Sequence, residues 1–263
     1  MKNHEGKKKM GKLTGKKAFV TGAEQGIGFE SAKSLIESGC DVFIHYFSGT
    51  EGPEKLVALA ESLGQKAAFG FANLTNKEEA HACVKEAAEF LGGIDILVNN
   101  VGGIIARKWL AEIEADYWQT VIDVNMTTML NVTQAALPYL KEATDGASIV
   151  NLSSLAGRSG GHAGSLTYSM TKGAVLTWTR SLAAELGEFG IRVNAVAPGL
   201  ILGTRFHNQH TTKASADETV KGIPLGRGGV PEDIARTITF LASEYDGFIS
   251  GATIDVNGAV YRM

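Results

Sequence analysis

Tyr168 and Lys172 stand four residues apart in YSMTK, a spacing that puts both side chains on one face of a helix. A phenol ionises near pH ~10 and is a poor base at neutrality, but an ammonium beside it stabilises the phenolate, so such a pair can give and take a proton. Ser153 and Ser154, in SIVNLSS, offer hydroxyls to an oxygen on which negative charge develops. A Tyr-x-x-x-Lys pair alone is more often an ordinary helix face, so its meaning depends on what precedes it. Far upstream, TGAEQGIG places Gly22, Gly26 and Gly28 where an apolar run passes into an amphipathic stretch. Glycine there lets the backbone approach a pyrophosphate, whose charge the helix N-terminus meets. Together the two blocks read as a dinucleotide site beside a proton donor.

These residues need rigid elements to hold them. From Lys16 onward short apolar runs alternate with longer amphipathic ones, which predicts an α/β fold: a single Rossmann-type doubly wound domain over 13–263, with a parallel sheet and helices on both faces. Strands are expected over Ala18–Thr21, Asp41–Tyr46, Ala67–Phe71, Ile94–Asn99, Ala147–Leu152, Arg192–Ala197 and Thr253–Val256. Helices are expected over Ile27–Ser38, Glu54–Leu63, Lys77–Leu91, Ala115–Leu140, Ser165–Phe189 and Pro231–Ala242. The stretch 200–229 breaks the rhythm and is expected to be a substrate lid.

Composition narrows the partners. With 44% hydrophobic and 20% charged residues the chain can build a large core, and a net charge of -3 gives no reason to expect nucleic acid or an anionic membrane as partner. A small-molecule substrate is expected. Cys40 and Cys83 lack metal-ligand spacing and read as reduced, buried residues. The basic first segment, 1–12, reads as a disordered arm, and no run is long enough to span a bilayer, so a cytoplasmic protein is expected. His207 and His210 have the gap of some metal pairs but no third ligand nearby, and no metal is expected.

The order of the blocks carries a resemblance. TGxxxGxG, then IDILVNNVGG with Asn99, Asn100, Val101 and Gly102, then SIVNLSS, YSMTK, VNAVAPG and SGATIDVNGA resemble the short-chain dehydrogenase/reductase family from about Leu13 to Gly258. The resemblance implies an oxidoreductase interconverting a carbonyl and a secondary alcohol, with Asn125, Ser154, Tyr168 and Lys172 as its catalytic four. Ser154, the second serine of the pair, lies one residue farther from the tyrosine than the family's pattern, which implies an extra residue in GRSGGHAGSLT. The resemblance further implies cofactor contacts from Gly22, Gln25, Gly26, Ile27 and Gly28, from Tyr46, Phe47 and Ser48, from Asn73 and Leu74, from Asn100 and Gly102, from Tyr168 and Lys172, and from Pro198, Gly199 and Ile201. Thr204 stands one residue later than the family's threonine. A homotetramer is implied, built partly from the two long helices.

Cofactor and substrate follow from finer readings. No acid ends the second expected strand to bind a ribose 2′-hydroxyl, and Asp41 sits at its start, so NADP(H) is favoured with NAD(H) as the alternative. The segments GGIIARK and GIPLGRGG are similar to those of reductases acting on keto-sugars and sugar acids, for which Arg107, Arg158, His162, Arg205 and His207 are candidate cations at the mouth. The alternatives are a 3-oxoacyl-thioester reductase and, from another class, a non-catalytic dinucleotide-binding scaffold or sensor.

Overall fold

Runs such as VFIH and SIVNL form strands because β-branched and aromatic side chains suit a pleated surface, and here the strands are covered on both faces. The computed structural model describes residues 13–204, 212–243 and 247–262. The basic arm expected over 1–12 lies outside them. Among the described residues, β1 (Lys17–Val20), β2 (Asp41–Tyr46), β3 (Ala67–Phe71), β4 (Ile96–Asn99), β5 (Ala147–Leu152), β6 (Ile191–Pro198) and β7 (Thr253–Val256) make one sheet in the order β3-β2-β1-β4-β5-β6-β7. Every neighbouring pair is parallel. The helices are α1 (Gly26–Glu37), α2 (Glu51–Leu63), α3 (Lys77–Leu91), α4 (Ala115–Ile122), α5 (Thr128–Lys141), α6 (Leu155–Ser159), α7 (Leu166–Leu186), α8 (Lys213–Lys221) and α9 (Pro231–Ala242).

Strand side chains alternate between faces, so the sheet has two cores. On one face Leu35 and Ile36 of α1, Leu56 of α2, and Ile234 and Ile238 of α9 pack over Val20, Ile44 and Val98. On the other, Val84 and Ala87 of α3 and Val132 and Leu140 of α5 pack over Phe19, Phe43, Leu97 and Ile149. Each large aliphatic side chain buried this way contributes about 2 kcal/mol. Strand order reverses beside β1, which has β2 on one side and β4 on the other. A crevice therefore opens at the carboxyl ends of β1 and β4, the place where open α/β sheets bind ligands.

Several elements depart from their expected bounds. The stretch 115–140 is not one helix: a π-helical turn over Asp123–Thr127 separates α4 from α5. Two short or polar helices were not expected. α6 has only five residues, and α8 buries none of its residues, so neither carries an apolar period to read. α8 is started instead by Thr212, whose hydroxyl accepts from the Ser215 amide at 3.2 Å. It lies inside the stretch read as structureless, and Ile201 bridges to Gly229 across the ends of that stretch. Residues 205–211 lie outside the described residues. Among the described residues no helix is long and apolar enough to cross a membrane.

Candidate active site

The turn from β1 into α1 is built for close approach. Gly22 and Gly26 have φ of 60° and 58°, which favours glycine, and a Cβ on Gly28 would stand 2.2 Å from the Gly22 carbonyl oxygen. Gln25, the N-cap of α1, makes no side-chain cap bond, and the first turn holds no acid. The amides of that turn, at Gly26, Ile27 and Gly28, are thus open to an anion, as a pyrophosphate requires. Gly28→Ala is expected to cost about 2 kcal/mol of stability, because backbone rather than a flexible side chain must give way, and to weaken dinucleotide binding at least tenfold. Denaturant unfolding and nucleotide titration check both.

The loop is held from beneath by Asn100 and by two groups that sequence reading did not single out, Thr21 and His45. Asn100 Nδ2 donates to the carbonyls of Thr21 and Gly22, both at 2.9 Å, and Thr21 Oγ1 accepts from the Asn100 amide. Buried His45 of β2 accepts from the Gly22 amide at Nδ1 (3.0 Å), which leaves Nε2 to donate to the Ala72 carbonyl (2.9 Å). Both bonds need the neutral ring, and burial pushes its pKa below the usual 6.5. This part of the stability is present above pH 6.5 and is lost as pH falls through the lower folded value. His45→Leu should lose about 2 kcal/mol and flatten the acid side of a Tm-against-pH curve below pH 6.5. An unchanged curve would show that His45 does not govern it.

Tyr46 and Phe71 pair at the tips of β2 and β3. Tyr46 packs edge-on against Phe69 and Phe71, and exposed Phe47 stacks on Phe71 with ring centroids 5.6 Å apart. Ser48 Oγ donates to Glu24 at 3.0 Å. Asn73 Oδ1 accepts from the Thr75 amide and hydroxyl, a turn that sets Leu74 into the core.

The four residues expected to be catalytic converge near the tip of β5. Ser153 and Ser154 have separate partners: Ser153 Oγ donates to the Lys172 carbonyl at 2.7 Å, whereas Ser154 hydrogen-bonds Tyr168 and accepts from the Ala156 amide as N-cap of α6. Lys172, 3% exposed, donates from Nζ to the Leu152 carbonyl at 2.7 Å. Asn125, fully buried in the π-helical turn, donates from Nδ2 to the carbonyls of Gly103 and Val121 and accepts at Oδ1 from the Gly103 amide. Val121 is the carbonyl an α-helical ladder would give to the residue-125 amide, and a side chain inserted there widens the turn. A Cβ on Gly102 would meet Asn125 Oδ1 at 2.7 Å and Lys172 Nζ at 2.8 Å, so these three positions meet.

Burial disfavours the charged form of both Tyr168 and Lys172. Burial raises the Tyr168 pKa above 10, with the Ser154 hydrogen bond pulling against it. Burial lowers Lys172 to about 8. Lys172 was expected to depress the phenol; instead its ammonium is turned to the Leu152 carbonyl, 5.9 Å from the Tyr168 ring centre, and desolvation dominates both groups. At neutral pH Tyr168 is a protonated donor.

This geometry can be set beside known proteins. The family model described as enoyl-(acyl carrier protein) reductase matches residues 22–260. The chain belongs to the short-chain dehydrogenase/reductase family. A 3-oxoacyl-[acyl-carrier-protein] reductase of Staphylococcus aureus is 39% identical over 250 residues, 94% of this chain and 98% of the relative, and one from Chlamydia trachomatis is 34% identical over 254. Among solved structures, an NADH-dependent reductase responsible for alginate metabolism superposes with a TM-score of 0.87 at 29% identity over 95% of this chain and 99% of its own. A blue fluorescent protein from a metagenomic library, in complex with NADPH, has the same TM-score at 32% identity, over 95% of this chain and 100% of its own. The protein is thus an oxidoreductase of this family, with its Rossmann-type fold.

Other short-chain dehydrogenase/reductase positions are placed as follows. Pro198 ends β6, Gly199 abuts Asn257, where a Cβ would stand 2.9 Å away, and Ile201 is buried at the Gly229 bridge. Thr204, one residue later than the family's threonine, lies against Gly26, its Cγ2 3.6 Å from where a Cβ there would be; Gly203, with φ 77°, turns the chain back. Arg158 is not a mouth cation, because Nε and Nη2 both bond Asp255 at 3.1 Å. Arg107 donates to the Ala163 carbonyl, four positions after Ser159 in the loop before Tyr168, and His162 is exposed on the same loop. Arg205, His207 and His210 lie outside the described residues. Glu24, Thr21 and His45 were missed; the one available signal was a histidine inside an otherwise apolar strand.

Proposed function

We propose that this chain is an NAD(P)(H)-dependent reductase that interconverts a carbonyl and a secondary alcohol, with Tyr168 as general acid and base. The observation that carries the reading is the convergence of Tyr168 and Ser154 with the buried Lys172 and Asn125 near the tip of β5, where Lys172 Nζ and Asn125 Oδ1 both lie against Gly102. Bound nicotinamide supplies or accepts the hydride. Gly22, Gln25, Gly26, Ile27 and Gly28 hold the pyrophosphate. Tyr46, Phe47, Ser48, Asn73 and Leu74 line the adenosine, with Asn100 and Gly102 beside it, and Pro198, Gly199 and Ile201 face the nicotinamide end. Ser154 steadies the substrate oxygen while Tyr168 delivers its proton. Lys172 holds the phenolate that remains, and Asn125 orders the path by which the proton is replaced. The cofactor is NADP(H), with NAD(H) also accepted; solved neighbours are named with each.

For the substrate we favour a keto-sugar acid. Arg107 and His162, on the two loops that flank Tyr168, suit a carboxylate, and a structural neighbour is named for alginate metabolism. A 3-oxoacyl thioester is the second reading, favoured by exposed Ile105, Trp109 and Leu110 on one of those loops and by the names of the 39% and 34% identical relatives. We further propose that 200–229 closes over the substrate as a lid on the Ile201–Gly229 bridge, that 13–263 is one domain, and that the protein is a cytoplasmic homotetramer. Light scattering tests the last.

The deciding experiment follows NADPH and NADH oxidation with a panel of keto-sugar acids and 3-oxoacyl thioesters. Turnover of one class alone selects the substrate. Binding of nucleotide without turnover of either class would favour a scaffold.

A further inference from the structure

The glycine loop carries a carboxylate where it faces the end of β2. Glu24 Oε1 accepts from Ser48 Oγ at 3.0 Å, which ties the first βα turn to the residue two past the end of β2. Its Oε2 is buried and has no hydrogen-bond partner. The backbone there has little freedom, because a Cβ on Gly52, in the first turn of α2, would stand 2.0 Å from the Glu24 carbonyl oxygen. A carboxylate held in one place with one oxygen buried and undonated is costly unless a ligand completes it.

The location says which ligand group that is. In dinucleotide sites of open α/β sheets, an acid at the end of β2 accepts the ribose 2′-hydroxyl and repels a 2′-phosphate. Here β2 runs out through Tyr46, Phe47 and Ser48, which bring no charge, and the two aromatic rings are engaged with Phe69 and Phe71. The acid reaches this place from the opposite side, out of the glycine loop. Among the described residues no lysine or arginine forms an ion pair with Glu24. Resting on the dinucleotide reading above, we propose that Glu24 is the residue that lets NAD(H) compete with NADP(H) in this chain. Its carboxylate accepts the 2′-hydroxyl hydrogen bond, and its charge opposes the 2′-phosphate.

The test is equilibrium binding, free of turnover. NADPH and NADH are titrated by nucleotide fluorescence into the wild-type chain, Glu24→Gln and Glu24→Ser, and 2′,5′-ADP and 5′-AMP are titrated by calorimetry. In Glu24→Gln the Kd of NADPH and of 2′,5′-ADP should fall about tenfold, as expected when one like charge is removed from a partly buried site, while that of NADH stays within about threefold. Glu24→Ser should move the ratio the same way. A ratio that shifts by less than about twofold in both variants, with native circular dichroism, overturns the role of Glu24 and leaves the cofactor reading standing. Absence of binding by either nucleotide to any of the three proteins overturns the cofactor reading, and the role of Glu24 with it.

Discussion

Tyr168→Phe is expected to lower kcat for carbonyl reduction by about a thousandfold while NADPH still binds within about threefold of wild type, since a positioned general acid contributes roughly 10²–10⁴. The substitution removes one hydroxyl and little volume, so the ring keeps its place on α7. What is lost is the proton donor and its hydrogen bond with Ser154. Burial holds the phenol above its ordinary value of 10, so the tyrosine remains a loaded acid throughout the neutral range and reduction should show no loss from tyrosine ionisation below that pH. Oxidation of the alcohol needs the phenolate, so its rate should rise with pH instead. Steady-state kinetics in both directions, with nucleotide titration of the same samples, check this. A variant that keeps more than about a tenth of the rate would remove Tyr168 from the chemistry.

Lys172→Met should abolish most turnover and yet make the fold more stable at pH ~7 by about 2 kcal/mol. The wild-type ammonium is 3% exposed and has its recorded bond to one backbone carbonyl, that of Leu152. Its pKa is brought down from 10.5 to about 8. Between those values the unfolded chain binds the proton and the folded chain does not, so stability rises with pH across that window. The penalty is therefore complete below pH 8 and gone above 10.5. A shift of this size amounts to about 3 kcal/mol, from which about 1 is returned when the Leu152 carbonyl loses its partner. Denaturant unfolding at pH ~7 and pH ~10 separates the terms, because the advantage of methionine should shrink at the higher pH. A variant less stable than wild type at neutrality would mean that the Nζ bond outweighs the cost of burying the charge. The lysine would then be a case of stability given up for function only if the first result holds.

Much of this was legible from the chain. Continuous apolar runs separated by helical periods announce a parallel sheet, because only strands covered on both faces lack polar alternation, and β2, β3, β5 and β7 fall on their expected residues. The glycine loop and the Tyr168–Lys172 pair were readable because local geometry demands those residue types at those spacings. The break at Asn125 was not. An amide side chain that takes the Val121 carbonyl is invisible to periodicity, as is a polar helix such as α8 that buries nothing.

What the sequence by itself determined is the kind of fold and the cast of reactive residues, since backbone sterics, hydrophobic period and glycine positions act within a few residues along the chain. Tertiary structure alone decided how those residues are partnered. It drew Arg158 away to Asp255, brought His45 under Gly22, and carried Glu24 to Ser48 across 24 residues of sequence. The physical reason is range: such contacts are set by where the strands end in space and by how far each polar group has been removed from water, and neither quantity is written in the spacing of residues along the chain.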